Sequence, residues 1–221
     1  MINPNKEIWH EKDKEYFNEY SAPVMENLQR LHYTNINSTI PYYGPMLYLL
    51  VRALGCEHVL EIGVAEGYTA FYIANAIKDN ATRFGMAGNM YYGVDICNHD
   101  VHHHLTDRGL PNKILYMDSK DLTSDTFKDV KFDMIFQDGD HSTEAVIREF
   151  ELFWPQLKGD GKGIWVFHDC YGPAEEGFQE LRRRFERKQY NVEFVRFFGI
   201  YGIAFIRKMN GYDEAKRHWV V

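Results

Sequence analysis

Short apolar runs alternate along this chain with segments whose apolar residues recur at helical spacing. His58-Val59-Leu60-Glu61-Ile62, closed by Gly63, has the pattern of a buried strand. Tyr68 to Ile77 carries Ala70, Phe71, Ile73, Ala74 and Ile77 at helical spacing, so Gly63 to Gly67 reads as a strand-to-helix turn. Four more strand-like runs follow: Met90 to Val94 closed by Asp95, Lys113 to Met117 closed by Asp118, Phe132 to Phe136 ending near Asp138, and Gly163 to Phe167 closed by His168-Asp169. Helical patterns separate them, among them Thr143 to Phe153, with Ser142 as a natural N-cap, and Gly172 to Lys188. Upstream, Pro41 to Leu54 starts on proline and carries Met46, Leu47, Leu49, Leu50 and Leu54, which suits a helix packed on a core.

Alternating strands and helices predict a parallel sheet with helices on both faces. The end of the chain differs. Val192 to Phe197 and Tyr201 to Ile206 are strand-like runs joined around Phe198-Gly199-Ile200, too short a link for a crossover, so they should pair antiparallel. The expected fold is α/β and Rossmann-like: a mostly parallel, seven-stranded sheet with a C-terminal antiparallel hairpin. Residues 1–38 read as a polar helical region, a lid or a dimer contact, preceding a main domain over 39–221. Asp79 to Asn89, with Gly85 and Gly88, reads as an inserted loop.

Composition narrows the function without naming it. The 221 residues suffice for one domain with a sizeable core. A net charge of −7 argues against a broad phosphate-backbone binder, so a small-molecule substrate is expected and a nucleic acid is not. Cys56, Cys97 and Cys170 form no C-x-x-C pair, and their odd number closes no disulfide set, which suits a reducing cytoplasm. Met1 to Tyr20 lacks the apolar core of a signal peptide, and no stretch is long and apolar enough to span a bilayer. Homo-oligomerisation stays open.

In an open α/β sheet, ligands bind beyond the carboxyl ends of the strands. Glu61, Asp95, Asp118, Asp138 and Asp169 stand at or near those ends in chain order and form an acidic rim. Glu61 to Gly67 matches E-x-G-x-x-x-G, in which Gly63 permits a tight turn and Gly67 a close backbone approach to a ligand. No register supplies the G-x-G-x-x-G of a dinucleotide site. A carboxylate at the first strand end would repel a pyrophosphate but attract an ammonium group. Asp95 is placed to accept both hydroxyls of a ribose, in nicotinamide folds and others alike. Asp118 suits an adenine amino group or a helix cap equally. His102-His103-His104 reads as a solvated helix, because adjacent side chains do not share a helix face. His141 should reach the rim, as a base or substrate contact, or else pack at a helix start.

Two stretches are the most specific: Phe132-Asp133-Met134-Ile135-Phe136-Gln137-Asp138-Gly139-Asp140-His141-Ser142, and the run from Pro155 through Gly163 into Ile164-Trp165-Val166-Phe167-His168-Asp169. With them, Ile40 to Ile206 resembles the S-adenosylmethionine (SAM)-dependent class I methyltransferases, in particular methyltransferase family 24, with its macrolide-sugar and aminocoumarin O-methyltransferase relatives. A terminal antiparallel hairpin is the usual ending of that class. The resemblance implies O-methylation of a hydroxyl on a sugar or small natural product. It implies that Glu61, Gly63 and Gly67 form the methionine side of the cofactor site, that Asp95 holds the ribose, and that Asp118 meets the adenine. Asp138 matches an acid that contacts the cofactor, binds a divalent cation in metal-dependent relatives, or acts as base. Relatives that use Mg²⁺ carry two adjacent carboxylates where this chain has His168-Asp169. The expected metal set is therefore Asp138, His168 and Asp169, holding Mg²⁺ or a softer ion that accepts imidazole. The expected catalytic set is Asp138, His141 and His168. In a metal-free alternative, Asp138 receives the methionine ammonium, and Asp169 or His141 takes the acceptor's proton. A metal-dependent hydroxylase or hydrolase, a nicotinamide-dependent oxidoreductase and a catalytically silent cofactor-binding module are the competing functions.

Overall fold

The computed structural model describes residues 43–159, 161–187, 189–197 and 202–209. The expected helical region over 1–38 lies outside them. Among the described residues, five α-helices and seven strands follow one another: α1 (Tyr43–Leu54), β1 (His58–Ile62), α2 (Tyr68–Phe84), β2 (Met90–Asp95), α3 (Val101–Thr106), β3 (Asn112–Tyr116), β4 (Met134–Gln137), α4 (Thr143–Phe153), β5 (Ile164–His168), α5 (Glu175–Glu186), β6 (Val192–Phe197) and β7 (Ile203–Lys208). The sheet order is β3-β2-β1-β4-β5-β7-β6. β1 to β5 pair in parallel, whereas β7 runs antiparallel to both β5 and β6. The expected Rossmann-like sheet with a terminal hairpin is therefore present. No helix among the described residues is long and apolar enough to cross a membrane.

The centre of the sheet is buried because β1 and β4 lie between neighbours and under helices. Leu60, Ile135, Phe136, Trp165 and Phe167 are fully or almost fully inaccessible. One polar chain crosses this core. Trp165 Nε1 donates to Gln137 Oε1 at 3.1 Å, and Gln137 Nε2 donates to Glu149 Oε2 at 2.7 Å. These bonds satisfy groups that would otherwise be costly to bury. Ser142 caps α4 as expected, its hydroxyl accepting from the Ala145 amide.

Some boundaries differ. The stretch read as a loop from Asp79 is helical to Phe84, and Gly85 ends α2 in the left-handed conformation. Its polar residues look inward: Asn80 is buried and donates to the carbonyls of Val51 and Cys56, and Tyr48 donates to Asp79 at 2.6 Å. They anchor α1 to α2 and do not mark a loop. Residues 171–174 form turns, so α5 starts at Glu175 and not at Gly172. The strand β5 includes His168, and β4 pairs with it so that Gln137 lies beside Phe167. Asp138 and Asp169 thus leave adjacent strands at nearly the same level.

Candidate active site

The turn after β1 is shaped by its own backbone neighbours. Gly63 has φ +91°, and a Cβ there would stand 2.2 Å from the Asp138 carbonyl oxygen. Gly67 has φ +85°, and a Cβ there would strike the Val101 side chain at 2.5 Å. Both glycines are needed because the protein closes on them, against β4 for Gly63 and against α3 for Gly67. Between them Ala65 also takes a positive φ of 46°, a conformation that costs a non-glycine residue energy and is common at functional turns.

Asp95 ties this turn to the end of β2. Its Oδ2 accepts from the amides of Val64 and Ala65 at 2.8 and 2.7 Å, and its Oδ1 accepts from Cys97 at 2.7 Å. The carboxylate is part-exposed and retains lone pairs toward the rim. Glu61 is placed differently from expectation. It is fully buried beneath the turn, accepting from Thr69 Oγ1 and from the Tyr91 hydroxyl. Burial pushes its pKa up to about 8, against the lowering effect of those two donors. Fully buried, it presents no accessible carboxylate oxygen to a ligand ammonium. Asp118 accepts from the Lys120 amide at 2.9 Å and pairs with the Lys120 ammonium at 2.7 Å, so it caps the 3-10 turn Ser119–Asp121.

At the ends of β4 and β5 four titratable groups converge. His168 Nδ1 lies 2.8 Å from Asp138 Oδ1 and 3.2 Å from Asp169 Oδ1. His141 Nε2 lies 3.0 Å from Asp169 Oδ2 and 3.8 Å from Asp138 Oδ1. The carboxylates of Asp138 and Asp169 push His141 up to about 10, against burial. Burial alone would lower His168, but the same carboxylates outweigh it and bring it to about 9. Burial opposes ionisation of Asp169, yet the two imidazoles hold it well below the usual carboxylate range. At neutral pH both imidazoles are therefore protonated and the Asp169 carboxyl is ionised.

The cluster is not saturated. Among the described residues, His141 Nε2, His168 Nε2 and Asp169 Oδ1 are buried without an aligned hydrogen-bond partner. Asp169 itself is held at φ +59°. Buried orphan polar atoms and a strained backbone together mark a site built to meet something else. At these strand ends, Asp138, His141 and Asp169 can converge on a metal, their ligand atoms lying within 4.8 Å of one another. His141 thus joins the two expected carboxylates, and His168 Nδ1 lies within 3.2 Å of both as well, its ring centroid 4.6 Å from that of Tyr43 and 6.3 Å from that of Phe136.

Tyr43, on α1, is a rim residue that the sequence did not point to. Burial raises its pKa, and so do Asp169, Cys170 and Asp138 nearby. Only the fold brings α1 to the strand ends, and no local motif announces it. The histidine tract behaves as expected, with His103 and His104 exposed on α3. A recess of about 630 Å³ runs along α4 past Thr143, Ile147, Arg148 and Glu151, and it holds none of the four clustered groups. Chemistry, not cavity size, locates the site.

Comparisons with known proteins agree with this geometry. The model of a family described as a methyltransferase domain matches residues 60–170, half of the chain. No curated protein matches the sequence significantly. The O-methyltransferase from Bacillus cereus, solved in complex with SAH, is 16% identical with a TM-score of 0.65, over 88% of this chain and 96% of that one. The O-methyltransferase TomG from Streptomyces achromogenes, involved in tomaymycin synthesis and solved with SAM, is 17% identical with a TM-score of 0.60, over 93% of this chain and 99% of that one. A methyltransferase from Geobacter sulfurreducens is 18% identical with a TM-score of 0.63, over 95% of this chain and 100% of that one. At these identities the likeness is one of fold.

Proposed function

The chain belongs to the methyltransferase-domain family, and from that premise we propose that it moves the methyl group of SAM to a hydroxyl oxygen on a small molecule. One observation carries this: the glycine turn packs directly against the Asp138 backbone, so the expected cofactor loop and a proton-handling cluster share one rim. O-methylation needs those two parts side by side. In this reading Asp95 holds the ribose, Gly63 to Gly67 shape the methionine side, and Asp118 borders the adenine. The three free cysteines suit a reducing compartment.

Bound SAM supplies a methyl group on a sulfonium. The acceptor oxygen forms the new O–C bond, the S–C electron pair stays on sulfur, and the hydroxyl proton has to leave. The protein supplies orientation and a proton acceptor. His141 is the more exposed of the two histidines, its side chain 35% accessible against 3% for His168. With Asp169 beside Nε2, Nδ1 of His141 is the nitrogen left to face an acceptor. His168 is a positioning residue that holds Asp138 in place.

A second reading has its own observation: the convergent Asp138, His141 and Asp169 with orphaned buried atoms. A divalent ion held there would lower the pKa of a hydroxyl brought to it. One nitrogen among oxygens suits a borderline ion better than Mg²⁺. Binding would displace protons from the imidazole, so affinity should rise with pH.

Incubation of the full chain with SAM and a panel of hydroxylated sugars and phenols, with SAH formation measured, tests the proposal. SAH formation with at least one acceptor is expected. Chelation decides between the two readings: loss of activity restored by Mn²⁺ or Fe²⁺ supports the ion, and full activity after chelation leaves His141 as the base. No turnover with any acceptor, in a protein that binds SAH, would leave a cofactor-binding module without transferase activity.

A further inference from the structure

The loop after β2 gathers a second set of ligating side chains away from the β4–β5 cluster. It runs Asp95-Ile96-Cys97-Asn98-His99-Asp100. Donor atoms of Asp95, Cys97 and His99 lie within 4.8 Å of one another, and Cys97 and His99 are exposed. The loop is folded by its own side chains: Asp95 Oδ1 accepts from the Cys97 amide at 2.7 Å, and Asn98 Oδ1 accepts from the Asp100 amide at 2.9 Å. The histidines that follow are otherwise engaged, His102 with Asn112 at 2.7 Å and His103 toward Asp100 at 3.7 Å.

We propose that Asp95, Cys97 and His99 form a binding site for a borderline divalent ion such as Zn²⁺, and that an ion there takes Asp95 away from the cofactor. Thiolate, imidazole and carboxylate are the donors such ions prefer, and three protein ligands leave a fourth position to water. Metal–ligand bonds are roughly 2.0–2.3 Å, so small rotations suffice to bring these donors around one ion. Mg²⁺ and Ca²⁺, which take oxygen ligands, do not fit the set. The Cys97 thiol gives up its proton to solvent on binding. The second half of the proposal rests on Asp95 holding the ribose. A carboxylate drawn to an ion cannot also accept two ribose hydroxyls, so ion and cofactor exclude one another and the enzyme is inhibited by thiophilic metals.

Cobalt, with a Cys97 variant beside the wild type, separates this site from the rim cluster, whose converging donors are two carboxylates and an imidazole with Cys170 buried next to Asp169. Co²⁺ is added to the full chain without cofactor, and the thiolate-to-cobalt charge-transfer absorption is followed. The band is expected in the wild type and absent in Cys97→Ser, with His99→Ala weakening it. No band in the wild type, or a band unchanged in Cys97→Ser, overturns the site. Calorimetry with SAH then reads the exclusion. With Zn²⁺ at about ten times its own dissociation constant, SAH should bind the wild type about tenfold more weakly, while Cys97→Ser is little affected. Unchanged SAH affinity in saturating Zn²⁺ overturns the exclusion. Failure of the metal-free protein to bind SAH would instead overturn the cofactor reading, with the cobalt band still reporting on the metal site.

Discussion

His141 carries two consequences that separate its roles. With its pKa raised to about 10 by Asp138 and Asp169, a metal-free enzyme holds only a small fraction of neutral imidazole at pH 7. The rate of methyl transfer should then rise about tenfold per pH unit and level off near pH 10. His141→Ala should lose about 10²–10⁴-fold in kcat and flatten that profile, as loss of a general base does. A flat wild-type profile from pH 6 to 9, with activity lost on chelation, would show an ion in place of the base. Glu61 gives a stability test with the opposite chemistry. Burial lifts its pKa from the ordinary 4.5 to about 8, so the folded chain keeps a proton that the unfolded chain loses across that window. Its contribution to stability therefore falls as pH rises from 4.5 to 8. Glu61→Gln carries no such proton. Its melting temperature relative to wild type should climb across the same window, and a constant difference would contradict the buried, protonated state.

At the scale of elements, the join between the glycine turn and α3 is a tightly specified contact near the site. Gly67→Ala puts an L-residue at φ +85° and a methyl against Val101. The backbone strain should cost about 1–3 kcal/mol and the overpacking about as much again. Val101→Ala in the Gly67→Ala background should recover part of that loss in denaturant unfolding. If the double variant is less stable than the sum of the two single changes, the clash is not what Gly67 avoids. Strand identity at this edge was legible in the sequence because short apolar runs each close on an acid or a glycine. The α4 boundaries were legible because Ser142 is a cap with a helical pattern behind it. The end of α2 was not, because Asp79 and Asn80 look like loop residues until their partners on α1 are known. At the site, acidic strand ends announced Asp95, Asp138 and Asp169. That His141 shares a metal-competent group with Asp138 and Asp169 could not be read, since it depends on where its ring turns after the strand ends. Glu61 was misplaced for a related reason: its position in a strand does not reveal that Thr69 and Tyr91 close over it.

For the molecule as a whole, the sheet supplies a rigid platform and the strand-end loops supply the chemistry, with the turn after β1 and the cluster after β4 and β5 meeting at Gly63. Asp95 joins these parts, since the same carboxylate fixes the turn amides and faces the expected ribose. The most direct test is calorimetric titration of the full chain with SAH, for the wild type and for Asp95→Ala. Two charge-assisted bonds are at stake, each on the order of 1.5–3 kcal/mol. The account predicts one SAH per chain for the wild type and binding at least about tenfold weaker for Asp95→Ala. A folded wild-type protein that does not bind SAH, or an Asp95→Ala variant that binds it as tightly, would contradict the placement of the cofactor on this rim.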